Sequence, residues 1–161
     1  ARLKRLPHTD LEAELAAICR TLESDPDERV ARDSPYSILD ASSTRRLLGS
    51  GLVELGAHTR THAILGLLSE DEQRQEIRGS LEAVERLSGR PCGLFAYPNG
   101  APGDYDPTTL RLMREAGVSG AVTSLAGVNG VGAPRLELRR CPVGAGLDLA
   151  GFELMTLRCL L

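Results

Sequence analysis

Two of the three histidines in this 161-residue chain, His58 and His62, stand four residues apart in GAHTRTHAIL. Imidazole nitrogen is a preferred ligand for zinc and other late divalent metals. The spacing lets both rings reach one point, either across one helical turn or from a loop at a strand end. The run LVELGA precedes His58, and its Leu52, Val53 and Leu55 read as a short buried strand. Ligands in parallel α/β folds gather at the carboxyl ends of strands, so the position adds to the spacing. A pair four apart also arises as a coincidence of surface or packing, and spacing alone leaves both readings open. No Glu follows His58, which excludes the HExxH zinc-protease helix. A second element, FAYPNG at Phe95–Gly100, is an apolar strand stopped by a Pro-Asn-Gly turn. Backbone N–H groups at such a tip can hold a carbonyl oxygen as it gains negative charge. A plain tight turn is the alternative.

These residues need a scaffold, and the pattern supplies one. Thr9 to Leu22 reads as a helix, with Thr9 and Glu12 as a capping box and Leu11, Leu15, Ile18 and Leu22 at helical spacing. Residues 23–40 read as a polar loop or excursion rather than a linker. A short helix is expected over Ser42–Leu48. Ser69 and Glu72 open the clearest helix, whose stripe is Ile77, Leu81, Val84 and Leu87. Cys92–Tyr97 and Val118–Thr123 read as strands, with a helix over Thr108–Ala116 between them carrying Leu110, Leu112 and Met113. LELRRCPV reads as a further strand. The chain then ends in an apolar helix in which Leu149, Phe152 and Leu157 are expected to face the core. Strand and helix alternate, which predicts parallel strands with helical crossovers.

Composition narrows the function. The length suits one domain, 1–161, without an internal boundary. Net charge is −3 with no dense Lys/Arg block, against a nucleic-acid partner. Five scattered rings, Tyr36, Phe95, Tyr97, Tyr105 and Phe152, make no wide stacking platform. No run approaches the roughly 18 apolar residues of a membrane span, and the start does not read as a signal peptide. Cys19, Cys92, Cys141 and Cys159 form no CxxC pair and read as separate thiols. The Gly-rich stretch at 127–132 lacks the pattern of a phosphate cradle. His8 reads as an exposed side chain.

HTRTH followed by FAYPNG, then a helix ending REAG and a strand AVTS, resembles the polysaccharide deacetylase family, the NodB-homology group of carbohydrate esterases. The resemblance runs from about Leu47 to Val143. It implies an α/β fold, a distorted and incomplete β/α barrel. It also implies one divalent metal, usually zinc, held by an aspartate and two histidines, which His58 and His62 match. In the family, metal and an aspartate base activate water to attack the N-acetyl or O-acetyl carbonyl of a sugar, so an acetylated carbohydrate is the implied partner. Such enzymes act on amide bonds other than peptide bonds. The backbone of Tyr97, Pro98 and Asn99 would hold substrate or the oxyanion. Thr59 and Thr61 would orient the imidazoles, or else face solvent.

Departures from the pattern carry expectations of their own. Upstream of His58, Asp10, Asp25, Asp27, Asp33 and Asp40 include no pair and none that follows an apolar strand. The catalytic base, the third ligand and the first barrel strands are therefore expected ahead of residue 1. Ala96 stands where the family often has Arg, and no histidine follows His62, so the catalytic acid is unassigned. Arg139 and Arg140 bind an anion or are solvated, the latter favoured. Asp104 and Asp106 substitute for a ligand or, preferably, serve the loop and a helix cap. The alternative function is a non-catalytic deacetylase-like domain used for carbohydrate binding or assembly.

Overall fold

The computed structural model describes Leu3, Leu6 and residues 8–24 and 38–160; for residues 8, 9 and 158–160 it describes the backbone alone. The expectations for the polar loop at 25–37, including Tyr36 and three of the upstream aspartates, lie outside the described residues, as do those for the side chains of His8, Thr9 and Cys159. The chain divides into two compact units, Ala1–Glu54 and Leu55–Leu161. The division falls at the strand-like run before His58 rather than in the polar stretch.

The first unit holds α1 (His8–Thr21) and α2 (Ala41–Gly49). α1 begins one residue before the expected Thr9 cap. Its stripe lies open: Leu15 and Ile18 are exposed, as is Leu22 just beyond it. α2 is capped by Asp40, whose side chain accepts from the Ser43 N–H at 2.7 Å.

The second unit is a parallel sheet with helices on one face. Its strands are β1 (Leu94–Ala96), β2 (Gly120–Ala126) and β3 (Leu138–Arg140), in the order β1-β2-β3. Phe95 pairs with Ala121, and Val122 with Leu138, all in parallel register. α3 (Glu70–Ser88) and α4 (Pro107–Glu115) pack together, and α4 links β1 to β2. This is the expected β/α alternation, as an open arc rather than a closed barrel.

The expected strand at Leu52–Leu55 is not formed. The next residues reach β1 only by an isolated parallel bridge, Ala57 to Phe95. Leu52 is 91% exposed. A short apolar run predicts burial, but a strand exists only where a neighbour supplies hydrogen bonds along its length. Here β1 offers three residues, and one bridge engages them.

Period-two alternation sets the core. Phe95 and Ala121 point to the helices and are buried, while Leu94, Ala96 and Val122 point to the other face and are partly open. Ile77 and Leu81 of α3 and Leu112 and Met113 of α4 meet Phe95, Tyr97, Val118 and Leu136 in one cluster. Each fully buried side chain of this kind contributes about 1.5–3 kcal/mol. Polar groups inside are paired. Thr109, fully buried, donates to Gln73 Oε1 at 2.6 Å and accepts from the Asp106 N–H at 3.2 Å. Outside, Arg111 and Arg74 each bridge Glu70 and Glu115, tying α3 to α4.

Two of the three capping signals, at Ser69 and Asp106, are formed as read. Ser69 and Glu72 form a reciprocal box at α3, and Gly89 ends that helix in the left-handed region. Asp106 forms a second box with Thr109 at α4, with Pro107 in the first turn. α5 (Leu149–Leu160) departs from expectation. Leu149, Phe152 and Leu157 are 72%, 41% and 56% exposed, not core-facing. Apolar residues surround this helix rather than lining one stripe, and it belongs to none of the well-packed pairs of elements. Cys19 and Cys92 are free thiols.

The Asp106 carboxyl lies below its usual range, chiefly because it accepts the Thr109 backbone N–H. Its ordinary pKa is about 3.9, so its stabilising contribution is complete above that value and is lost as pH falls through the lower folded value. Asp106→Asn, which keeps a cap oxygen without titrating there, should flatten part of the acid-side fall in stability. Asp106→Ala should cost about 1 kcal/mol near neutrality. Urea unfolding at several pH values checks both. An identical acid-side slope in wild type and Asp106→Asn would remove the claim.

Candidate active site

Backbone pairing places His58. The Ala57 N–H donates to Leu94 O and the Ala96 N–H to Ala57 O, each at 2.8 Å. The next residue, His58, therefore leaves the sheet beside the end of β1. Its Nδ1 lies 2.7 Å from Ala96 O. A carbonyl only accepts, so Nδ1 carries a proton, which leaves Nε2 as the ring's lone-pair position in its neutral form. The His62 ring stands edge-on to that of His58, centroids 4.7 Å apart at 79°. The two imidazoles thus meet at a strand end, exposed to solvent.

The loop that brings them together is strained. Thr59 and His62 have φ of 61° and 60°, the left-handed region, which a β-branched residue such as Thr59 rarely enters. Such a backbone persists only when its surroundings over-determine it. Glu76 of α3 does this. Its Oε2 accepts from the Arg60 N–H at 2.7 Å and the Thr61 N–H at 3.0 Å, and its Oε1 accepts from Thr61 Oγ1 at 3.0 Å. Thr59 Oγ1 donates to His58 O at 2.6 Å. The two threonine hydroxyls therefore brace the loop backbone, not the imidazole nitrogens. Arg60 lies along α3 at Gly79, where a Cβ would overlap its Cδ and Cγ.

The Tyr97–Asn99 turn lies one residue beyond Ala96. Tyr97 is almost fully buried; its N–H donates to Val122 O at 3.1 Å and its hydroxyl to Leu136 O at 2.8 Å. Burial raises the Tyr97 hydroxyl far above its ordinary range, so it stays a neutral donor. Its ring stacks on Tyr105 at 4.4 Å, and Tyr105 donates to Glu137 at 3.1 Å. Pro98 has no N–H. Asn99, the third residue expected to meet substrate, has φ 58°. Gly100 follows in the left-handed region, with the Ser124 N–H donating to its carbonyl at 3.1 Å.

Asp104 and Asp106 serve the loop and the cap: Asp104 accepts from the Ala101 N–H at 2.7 Å and Asp106 caps α4. Arg139 and Arg140 are not simply solvated. Arg140 Nε donates to Thr123 O at 2.6 Å, and Arg139 Nη1 to Ala126 O at 3.3 Å, fastening the end of β2. A cleft of about 340 Å³ opens on the sheet face away from the helices, between His58 and Gly56 and the apolar Leu94, Ala96, Val122 and Leu138.

The two imidazoles suit two positions of a metal site. A catalytic zinc needs three protein ligands. Among the described residues, no group of three His, Cys, Asp or Glu side chains is placed to hold one. Glu76 went unread in the sequence. The available signal was helical phase, because Gln73, Glu76 and Ser80 form a polar row beside the apolar stripe of α3.

The model of the polysaccharide deacetylase family matches residues 13–121, well over half of the chain, and the chain belongs to that family. No curated protein sequence matches it. The fold is also found in solved structures of low identity. The Streptococcus pyogenes deacetylase PplD, in complex with acetate, is 20% identical with TM-score 0.68, covering 76% of this chain and 52% of its own. BC0361, a polysaccharide deacetylase from Bacillus cereus, is 20% identical with TM-score 0.65, covering 89% and 47%. The BpsB deacetylase domain from Bordetella bronchiseptica is 16% identical with TM-score 0.58, covering 80% and 65%. The chain spans about half the length of the first two. It has the NodB-type β/α fold in part, and the open arc agrees with that coverage.

Gly79→Ala should test the docking of the loop on α3. Ala in a helix interior is favoured over Gly by about 0.5–1 kcal/mol. With Arg60 in place the new Cβ meets its stem, so little of that gain should appear. In an Arg60→Ala background the full gain should return. Chemical unfolding of the four proteins measures the coupling, and a full gain with Arg60 intact would contradict the packing.

Proposed function

We propose that this chain carries the histidine part of a metal-dependent site that removes acetyl groups from an acetylated sugar or polysaccharide. One observation supports this most strongly: Nδ1 of His58 is held by Ala96 O, which leaves Nε2 unused by that bond, with the His62 ring beside it. Orientation through Nδ1 is how metal-ligating imidazoles are commonly held. His58 and His62 would hold a divalent metal, zinc first among the candidates. A further ligand, the catalytic base and the catalytic acid would come from outside the described residues. Such a metal, when bound, supplies Lewis acidity toward the acyl oxygen and lowers the pKa of water.

The chain's own residues supply position. Ala96 O fixes the tautomer of His58. Thr61, through Glu76, and Thr59, through the His58 carbonyl, hold the loop between the two rings. Asn99 would meet the acyl group or the sugar at the turn, since the Tyr97 N–H is engaged by Val122 O and Pro98 lacks one. The apolar cleft beside His58 suits the methyl of an acetyl group better than a charged substituent.

A second reading is a non-catalytic deacetylase-like domain that binds carbohydrate. It draws support from the two-histidine cluster without a third ligand among the described residues. Zinc titration followed by NMR of the histidine side chains separates the two. The metal-dependent reading expects weak but specific zinc binding that shifts His58 and His62. His58→Ala or His62→Ala should each weaken it at least tenfold. The longer parent protein, if it exists, should release acetate from N-acetylated or O-acetylated sugars and lose that release with either variant. Sugar binding that ignores zinc and both substitutions would favour the second reading.

A further inference from the structure

We infer that Glu76 is a positioning residue for the histidine pair: its carboxylate, reaching from α3, sets the geometry in which the two imidazoles meet. This rests on the reading of His58 and His62 as metal ligands. Three hydrogen bonds converge on one side chain, from the Arg60 N–H, the Thr61 N–H and Thr61 Oγ1, at 2.7, 3.0 and 3.0 Å. The two amides belong to residues between the histidines, so the carboxylate holds the middle of the loop whose ends carry the rings. Hydrogen bonds to an ionised carboxylate are roughly twice as strong as neutral ones.

The loop has a reason to need such a holder. Thr59 and His62, which flank the clamped pair, both sit in the left-handed region, a conformation that costs on the order of 1–3 kcal/mol per residue and relaxes when its supports go. His58 has its own anchor in Ala96 O. His62 reaches the meeting point through a residue with positive φ, directly after Thr61. Loss of Glu76 should therefore move His62 more than His58. Arg60 over Gly79 adds a second hold of the same loop on the same helix. Glu76 touches neither imidazole, so it acts through the backbone rather than as a catalytic residue.

The chemistry of the side chain supplies the test. In Glu76→Gln, the amide oxygen can still accept both N–H groups, and the NH₂ group can donate to Thr61 Oγ1. In Glu76→Ala all three partners lose their acceptor or contact. Glu76→Asp withdraws the carboxylate by one methylene. Glu82→Ala, on the same helix with an exposed ion pair to Arg86, is the control.

Two readouts on the full chain decide the matter. In the metal-free chain, NMR reports amide hydrogen exchange at Arg60 and Thr61 and the ring-to-ring contact between His58 and His62. Zinc titration then reports affinity. The expected result is faster exchange and loss of the ring contact in Glu76→Ala and Glu76→Asp. Their zinc affinity should fall about 10–100-fold, the usual effect of removing a partner that orients a ligand. Glu76→Gln should stay near wild type in all three, and Glu82→Ala should match wild type. If Glu76→Ala fails to fold, Glu76→Asp carries the comparison. Unchanged ring contact and zinc affinity in a folded Glu76→Ala or Glu76→Asp overturns the inference, even if exchange quickens. If wild type binds no zinc at the histidines, the metal reading fails. The ring contact and exchange alone then judge the positioning role.

Discussion

The candidate site depends on one pair of backbone hydrogen bonds. Ala57 exchanges an N–H and a C=O with Leu94 and Ala96, and this single bridge fixes where the chain leaves the sheet. Everything chemical follows within a few residues of it. His58 turns back so that Nδ1 meets Ala96 O, the carbonyl of the same residue whose N–H closed the bridge. Ala96 thus joins the two motifs physically. Its carbonyl orients the first histidine, and the Tyr97–Asn99 turn follows it directly.

The second constraint comes from α3. A loop with two non-glycine residues in the left-handed region is unstable alone, and a helix lying across it supplies what the loop lacks. Glu76 collects the loop's donors, and Gly79 makes room for Arg60. α3 in turn is positioned by its apolar side, where Ile77 and Leu81 pack into the shared core, and by Gln73 bonded to the buried Thr109 of α4. The histidine loop, the helix and the sheet are therefore one mechanical unit. Its far end, the turn after β1, is held by Tyr97 on Leu136 and by the Tyr97–Tyr105 stack.

Much of this was legible in the residues. The capping boxes at Ser69 and Asp106 mark the starts of α3 and α4 because the hydrogen bonds that make them are local. β1 and β2 were legible as apolar runs between turn formers. The histidine spacing named the candidate ligands. Less legible were Leu52–Leu55, which form no strand, and α5, whose Leu149, Leu154 and Leu157 stay exposed. Both failed for the same physical reason. Hydrophobicity states that a segment gains by burial, but not whether a partner is present to bury it.

The sequence by itself determined the family and, from α3 onward, the order of strands and helices, and it pointed to two imidazoles as candidate ligands. These rest on local pattern: residue type, period and cap. Only the tertiary structure decided how the imidazoles are held and which neighbours can help them. It engaged the Tyr97 N–H in the sheet, turned Thr59 and Thr61 onto the loop backbone, fastened Arg139 and Arg140 to carbonyls of β2, and brought Glu76 from fourteen residues beyond His62 onto the loop between the histidines. Each of those roles is a choice among hydrogen-bond partners distant in sequence. Such choices follow from how the elements pack in space.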